Sequence, residues 1–229
     1  MDRLALSNGA QPPFISTLAP EDRCPVNGLA MKEGVPRYAT AASCCDVVDG
    51  WRERRYEGGI LIDVQTDRIV TEDLSMPHSP RLNARVLWVL DSGRGYLCRV
   101  EEKSGKTERV AFCPGFAREP SFWRGHALVA TSLPRDGAFK GLELKENLKA
   151  RDGEPRCGAY IFDIRNGDIL HWIKFDGAVR EMFRCELRRQ GAYVRRPRQS
   201  GDAHAHYLCR RAVGLYGGSR GPIARFSWA

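Results

Sequence analysis

Leu61-Ile62-Asp63-Val64-Gln65-Thr66-Asp67-Arg68-Ile69-Val70 and Ile161-Phe162-Asp163-Ile164-Arg165-Asn166-Gly167-Asp168-Ile169-Leu170 align without a gap. Asp63 matches Asp163, Val64 matches Ile164, and Gly58 precedes the first as Gly158 precedes the second. Apolar residues alternate over 60–64, the period of a strand. Thr66-Asp67 and Asn166-Gly167 follow as turn pairs, Asn-Gly being the strongest short hairpin signal. Each stretch therefore predicts a β-hairpin. A third copy runs Tyr96-Leu97-Cys98-Arg99-Val100, then Ser104-Gly105-Lys106, then Arg109-Val110, with a connection expected to be two residues longer.

Working outward, another pair of strands precedes each hairpin. Residues 27–31 and 37–41 precede the first, 81–82 and 86–90 the second, 122–123 and 127–131 the third. Val86-Leu87-Trp88-Val89-Leu90 is apolar on both faces, as a strand between neighbouring sheets must be. Internal copying at four strands per unit predicts an all-β, β-propeller-like stack of about three four-stranded blades. A sandwich of similar strand spacing is the structural alternative, and the copying favours blades. The segment 134–155 interrupts the third unit, and its residues 141–150, rich in helix formers, predict one short helix. Because a closed propeller has roughly four to eight blades, three units imply an incomplete one. Ile60, Ile62, Val64, Trp88, Tyr160, Phe162 and Ile164 are expected in one interblade core.

The chain has 229 residues, 42% hydrophobic and 28% charged, which suits a globular protein. The formal net charge of +8 resides after Phe183: residues 184–229 hold ten Arg against Glu186 and Asp202, leaving the rest neutral. Nucleic acid is therefore expected only as a non-specific partner of this Arg-rich tail. The tail lacks a sustained period of 2 or 3.6 and is expected to be irregular and to add no blade. No apolar run is long enough to span a bilayer, and residues 1–11 do not read as a secretory signal. No membrane partner and a cytoplasmic location are expected. The eight cysteines form no C-x-x-C pair and read as small buried residues; Cys44-Cys45 has no visible third metal ligand.

Candidate chemistry centres on Ser75-Met76-Pro77-His78-Ser79-Pro80-Arg81. Prolines on both sides restrict the backbone and give His78, Ser79 and Arg81 defined directions. That suits a general base or metal ligand beside an anion-binding Arg; the plainer reading is a rigid turn capped by His78. His78 and Arg81 are expected beside Asn27, around a shared concavity. Asn27, Asp22 and Glu181 supply oxygens for a divalent cation, with turn-capping Asn and surface carboxylates as the plainer reading. Trp51 and Arg52, in Trp51-Arg52-Glu53-Arg54-Arg55, suit a stacking and charged clamp or a solvated loop. Gly93-Arg94-Gly95 lies between strands and is not a nucleotide loop. His204-Ala205-His206 with Cys209 only imitates a metal cluster.

Several blocks in order carry a resemblance: Asp22-Arg23-Cys24 with Asn27-Gly28-Leu29-Ala30, Gly50-Trp51-Arg52-Glu53, residues 58–63, Leu74 through Arg81, residues 87–93, Pro114-Gly115-Phe116, Cys157-Gly158 and residues 175–181. From about Pro12 to Phe183 the chain resembles a bacterial family of conserved hypothetical proteins, a domain of unknown function with propeller-like repeats. The resemblance implies a domain over 12–183, a tail at 184–229 outside the pattern as a shifted reading frame would leave it, and a truncated member lacking an upstream portion. It implies a fold rather than an activity. Two functions fit: a module binding a protein or small-molecule ligand, which is preferred, or a metal-dependent hydrolase or lactonase-like propeller using a channel cation and His78.

Overall fold

A computed structural model describes residues 25–45, 47–133, 141–182, 184–188, 191–195 and 206–209. Asp22, Cys24 and His204, named above, lie outside these, as do 134–140. The first blade comprises β1 (Val26–Lys32), β2 (Val35–Ala41), β3 (Gly59–Asp63) and β4 (Arg68–Leu74), hydrogen-bonded in that order. The second comprises β5 (Pro77–Asn83), β6 (Val86–Asp91), β7 (Tyr96–Val100) and β8 (Thr107–Phe112). The third comprises β9 (Phe116–Trp123), β10 (His126–Ser132), β11 (Gly158–Asp163) and β12 (Ile169–Lys174). All neighbours within a blade are antiparallel. This is the expected all-β, propeller-like stack of three four-stranded units. A one-turn helix α1 (Trp51–Arg54) lies between β2 and β3, and the expected short helix is α2 (Glu143–Lys149), between β10 and β11.

Local chemistry repeats from blade to blade. The first two strands of each blade are joined by a two-residue turn with both residues at positive φ: Glu33-Gly34, Ala84-Arg85 and Arg124-Gly125. These primed turns match the right-handed twist of their strands. The backbone N–H groups of Gln65 and Arg165 donate to Asp63 Oδ1 (3.1 Å) and Asp163 Oδ1 (2.9 Å), which explains why Asp recurs there. The second blade departs from the longer connection expected for it. Glu101 takes the place of the aspartates, its N–H donating to Lys106 as that of Asp163 donates to Asp168, and the turn is no longer than its counterparts.

The blades pack through separate seams. Leu61, Val70, Leu87, Val89, Cys98 and Val100 bury the first against the second, and Trp88, Leu90, Leu97, Val129, Tyr160 and Phe162 bury the second against the third. The expectation of one common core is thereby corrected: Ile60 and Ile62 join Ala41 in another cluster, on the face of the first blade turned away from the second. Successive side chains of a strand point to opposite faces, so corresponding positions in stacked blades enter different seams.

The described residues after Phe183, 184–188, 191–195 and 206–209, form strands where an irregular tail was expected. β13 (Arg184–Arg188), β14 (Gly191–Arg195) and β15 (His206–Cys209) form an antiparallel meander, and Arg184 of β13 pairs parallel with Glu119 of β9. A free strand edge offers unpaired N–H and C=O groups to any chain that reaches it. That pairing needs no apolar alternation, so periodicity could not signal it. Met182 and Cys185 also bury against Leu128, Ala130 and Ala159 of the third blade.

Candidate functional site

The first strands β1, β5, β9 and β13 stand in a row, each beside the next. Counting back from the primed turns, Asn27, His78 and Arg118 each lie six residues before the first turn residue. They are therefore the same position in three blades, near the start of each first strand. The motif around His78 is strand rather than turn. Among the described residues β5 pairs only with β6, and a strand bonded on one side tolerates Pro77 and Pro80.

His78 is buried, 8% exposed. Its Nε2 lies 3.3 Å from Arg118 Nη1. A guanidinium only donates, so Nε2 accepts and the ring proton sits on Nδ1. Burial, with the adjacent Arg118 charge, drives the imidazole pKa down to about 3, against an opposing hydrogen bond to the Asn27 backbone. The ring is thus neutral at pH 7 and wedged between the first and third blades. Phe116 meets it edge-on with centroids 5.4 Å apart, and Arg118 lies over the same Phe116 ring at 4.8 Å. Phe116 is in turn held by Leu142, Leu144 and Leu148 around α2. The helix is fixed by Leu144 N–H donating to Gly93 (2.8 Å) and Asn147 Nδ2 donating to Arg94 (3.0 Å). Gly93-Arg94-Gly95 accordingly acts as the β6–β7 turn and a seat for α2.

Arg81 spans the same row. Its guanidinium donates to the Leu29 carbonyl (3.1 Å) and forms an ion pair with Glu119, joining β5 to β1 and to β9. Ser79, half-buried at φ 48°, lies against Gly28: a Cβ there would sit 2.6 Å from Ser79 N. Asn27 Nδ2 is a buried donor with no hydrogen-bond partner among the described residues. Asn27, His78, Ser79 and Arg81 thus occupy adjoining strands. Trp51 and Arg52 do not join them; on α1, Arg52 lies over the Trp51 ring at 4.6 Å and donates to Asp49 at 3.0 Å.

Arg118 escaped the sequence reading because Gly115-Phe116-Ala117-Arg118 has no motif character by itself. Aligning the first strands on their turns would have found it.

Asn27 belongs to β1 and Glu181 precedes β13, elements at opposite ends of the row. Among the described residues no three His, Cys, Asp or Glu groups cluster in a way that could hold a metal ion. Cys44 is exposed and Cys45 buried. Burial pushes the Cys113 and Cys185 thiols up to about 12 and Cys157 to about 11, which makes them poor nucleophiles. No described helix is long and apolar enough to cross a membrane.

A protein family described as "Domain of unknown function (DUF4915)" matches residues 3–192, a wider span than the 12–183 read from the sequence. No curated protein matches. Among solved structures the chain is similar to the computationally designed Ika4 protein (9% identity, TM-score 0.47, covering 83% of this chain and 96% of that one). It is also similar to the computationally designed Ika8 protein (11%, TM-score 0.43, 74% and 42%) and to Myxococcus xanthus glutaminyl cyclase (10%, TM-score 0.44, 76% and 62%). It therefore spans under two thirds of the latter two. The chain belongs to this family of unknown function.

Proposed function

We propose that this member of the family is a binding module that holds a small anionic ligand, a carboxylate or phosphate, where its first strands begin. The observation that supports this is the placement of Arg118 between the Phe116 ring and a neutral His78. A guanidinium oriented by its neighbours recognises planar or tetrahedral anions at low ordering cost. Asn27 Nδ2 adds a donor at the equivalent position of the adjoining strand. A catalytic role for His78 fits less well. A general base works best with a pKa near the operating pH, and burial holds His78 far below it. The hydrolase reading needs a channel cation, and no described acidic cluster supports one. A reducing, cytoplasmic setting suits six cysteines held as thiols among the described residues.

The test is a thermal-shift and calorimetric screen of carboxylates, inorganic phosphate and pyrophosphate against the protein and Arg118→Met. A ligand bound to the folded state raises the melting temperature. We expect at least one anion class to do so for the parent chain and none for the variant. Equal shifts in both, or none in the parent, would overturn the assignment.

A further inference from the structure

Each seam between blades repeats one device. In the fourth strand of every blade one bulged residue falls between two ladder pairs: Val70 in β4, Val110 in β8 and Leu170 in β12. The turn between the third and fourth strands of the following blade presses a glycine onto that residue. A Cβ on Gly105 would sit 2.1 Å from the Val70 carbonyl oxygen, and one on Gly167 would sit 1.9 Å from that of Val110. Both glycines have positive φ, 73° and 79°, so another residue there would be strained as well as crowded. Leu170 is the third such seat. No described glycine lies against it, and it is 43% exposed.

The chain after the third blade follows the same plan. At the end of β6, Ser92 Oγ donates to the Ala117 carbonyl (2.8 Å) where the third blade begins. Ser132, at the same distance from its turn in β10, donates to the Met182 carbonyl (3.1 Å) just before β13. Two residues separate β13 from β14, as two separate β5 from β6 and β9 from β10. The register of the third strand also recurs. The second residue of the preceding strand pairs with Val100 in the second blade, Phe162 in the third and Cys209 in β15. Five residues beyond these stand Gly105, Gly167 and Gly214. Gly214 is flanked by apolar Val213 and Leu215, where Ser104 and Lys106 or Asn166 and Asp168 flank the others.

We propose that β13–β15 are the first three strands of a fourth blade and that residues 210–216, which follow β15 directly, are its third turn, seating Gly214 on the Leu170 bulge of β12. Stacked repeats contact their neighbours through one recurring interface, and this segment stands where that interface next requires a glycine. Val213 and Leu215 give the turn an apolar surface that matches the exposed edge it meets. Trp172 corresponds to Glu72, which is exposed in the closed seam between the first and second blades, so the turn leaves Trp172 at the surface.

The experiment uses the full chain with a photocrosslinking amino acid at position 170, prepared as an equal mixture of isotope-labelled and unlabelled molecules and read by peptide mass spectrometry. Capture of a peptide containing residues 210–216 from the same molecule is expected. The same capture should fall to background in Gly214→Val, whose side chain has no room against the Leu170 carbonyl, and persist in Gly217→Val, which lies outside the turn. Far-ultraviolet circular dichroism should be unchanged in both variants. Label-mixed products, which report a second molecule on β12, would overturn the proposal. So would capture of another segment, no capture at all, or equal capture in Gly214→Val and Gly217→Val.

Discussion

The outer strands of the second and third blades, β8 and β12, occupy the same place in the repeat and meet different surroundings. On β8, Val110 lies beneath Gly167 and Ala111 is buried in the seam with Trp88, Tyr160 and Phe162. On β12, Leu170 has no such cover among the described residues, and Ile169 and Trp172 are likewise exposed. The side chains are as apolar on the open strand as on the closed one. What distinguishes them is whether another blade follows to bring a turn against the bulge. Apolar content thus records which face was made for packing, and only the neighbour decides whether burial follows.

The largest expected effect lies in the closed seam. Trp88, buried at the centre of the seam and tilted against Phe122 with centroids 5.1 Å apart, should cost about 3–5 kcal/mol on change to Ala. A reversible urea titration measures it; a loss indistinguishable from zero would show that the second and third blades do not pack through this residue. Next comes the seam at the first strands, probed by pH. His78 has its folded pKa lowered to about 3, while the unfolded chain keeps roughly 6.5. Between these values the unfolded state binds more protons, so this group's contribution to stability is intact above about pH 6.5 and declines as pH falls towards 3. The loss should amount to a few kcal/mol, on the order of 2–4. His78→Gln should flatten that part of the stability–pH curve, and an unchanged slope would count against a neutral, buried imidazole.

A smaller contrast separates seam from backbone strain. Gly167→Ala and Gly125→Ala both force a Cβ onto positive φ, 79° and 81°, but only the first meets a carbonyl, since nothing lies within 4 Å at Gly125. Chemical denaturation should show about 1 kcal/mol for Gly125→Ala and roughly 2 kcal/mol or more for Gly167→Ala. Equal losses would mean that the turn does not press on Val110. The smallest effect belongs to the open strand: Trp172→Ala should change monomer stability by under about 0.5 kcal/mol, measured in dilute solution. A loss comparable to that of Trp88 would make β12 a covered strand after all.

Much of this comparison was legible in the residues. The copies at 61–70 and 161–170 disclosed the repeat because Asp63 and Asp163 must each accept a turn N–H, a local demand written in local sequence. The copy at 96–110 was harder to align because Glu101 replaces that aspartate, which disguised a turn of ordinary length. Asn27, His78, Ser79 and Arg81 were found through their motifs and do stand on adjoining strands. Arg118, which carries the proposed site, was missed because its importance comes from its partners His78 and Phe116. Trp51 and Arg52 have a suggestive composition and remain apart on α1.

By itself the sequence determined the alternation, the turns and the number of four-stranded units, since strand period, turn φ and side-chain capping act within a few residues. Only the tertiary structure decided which face of each strand enters which seam, that Ile60 and Ile62 part company with Tyr160 and Phe162, and that His78 becomes a neutral group between two blades. It alone joined Arg184 of β13 to Glu119 of β9. These outcomes depend on the stacking of distant blades, where burial and backbone pairing are set by whatever surface arrives alongside. A pattern confined to neighbours in the chain carries the preference for burial and does not name the surface that supplies it.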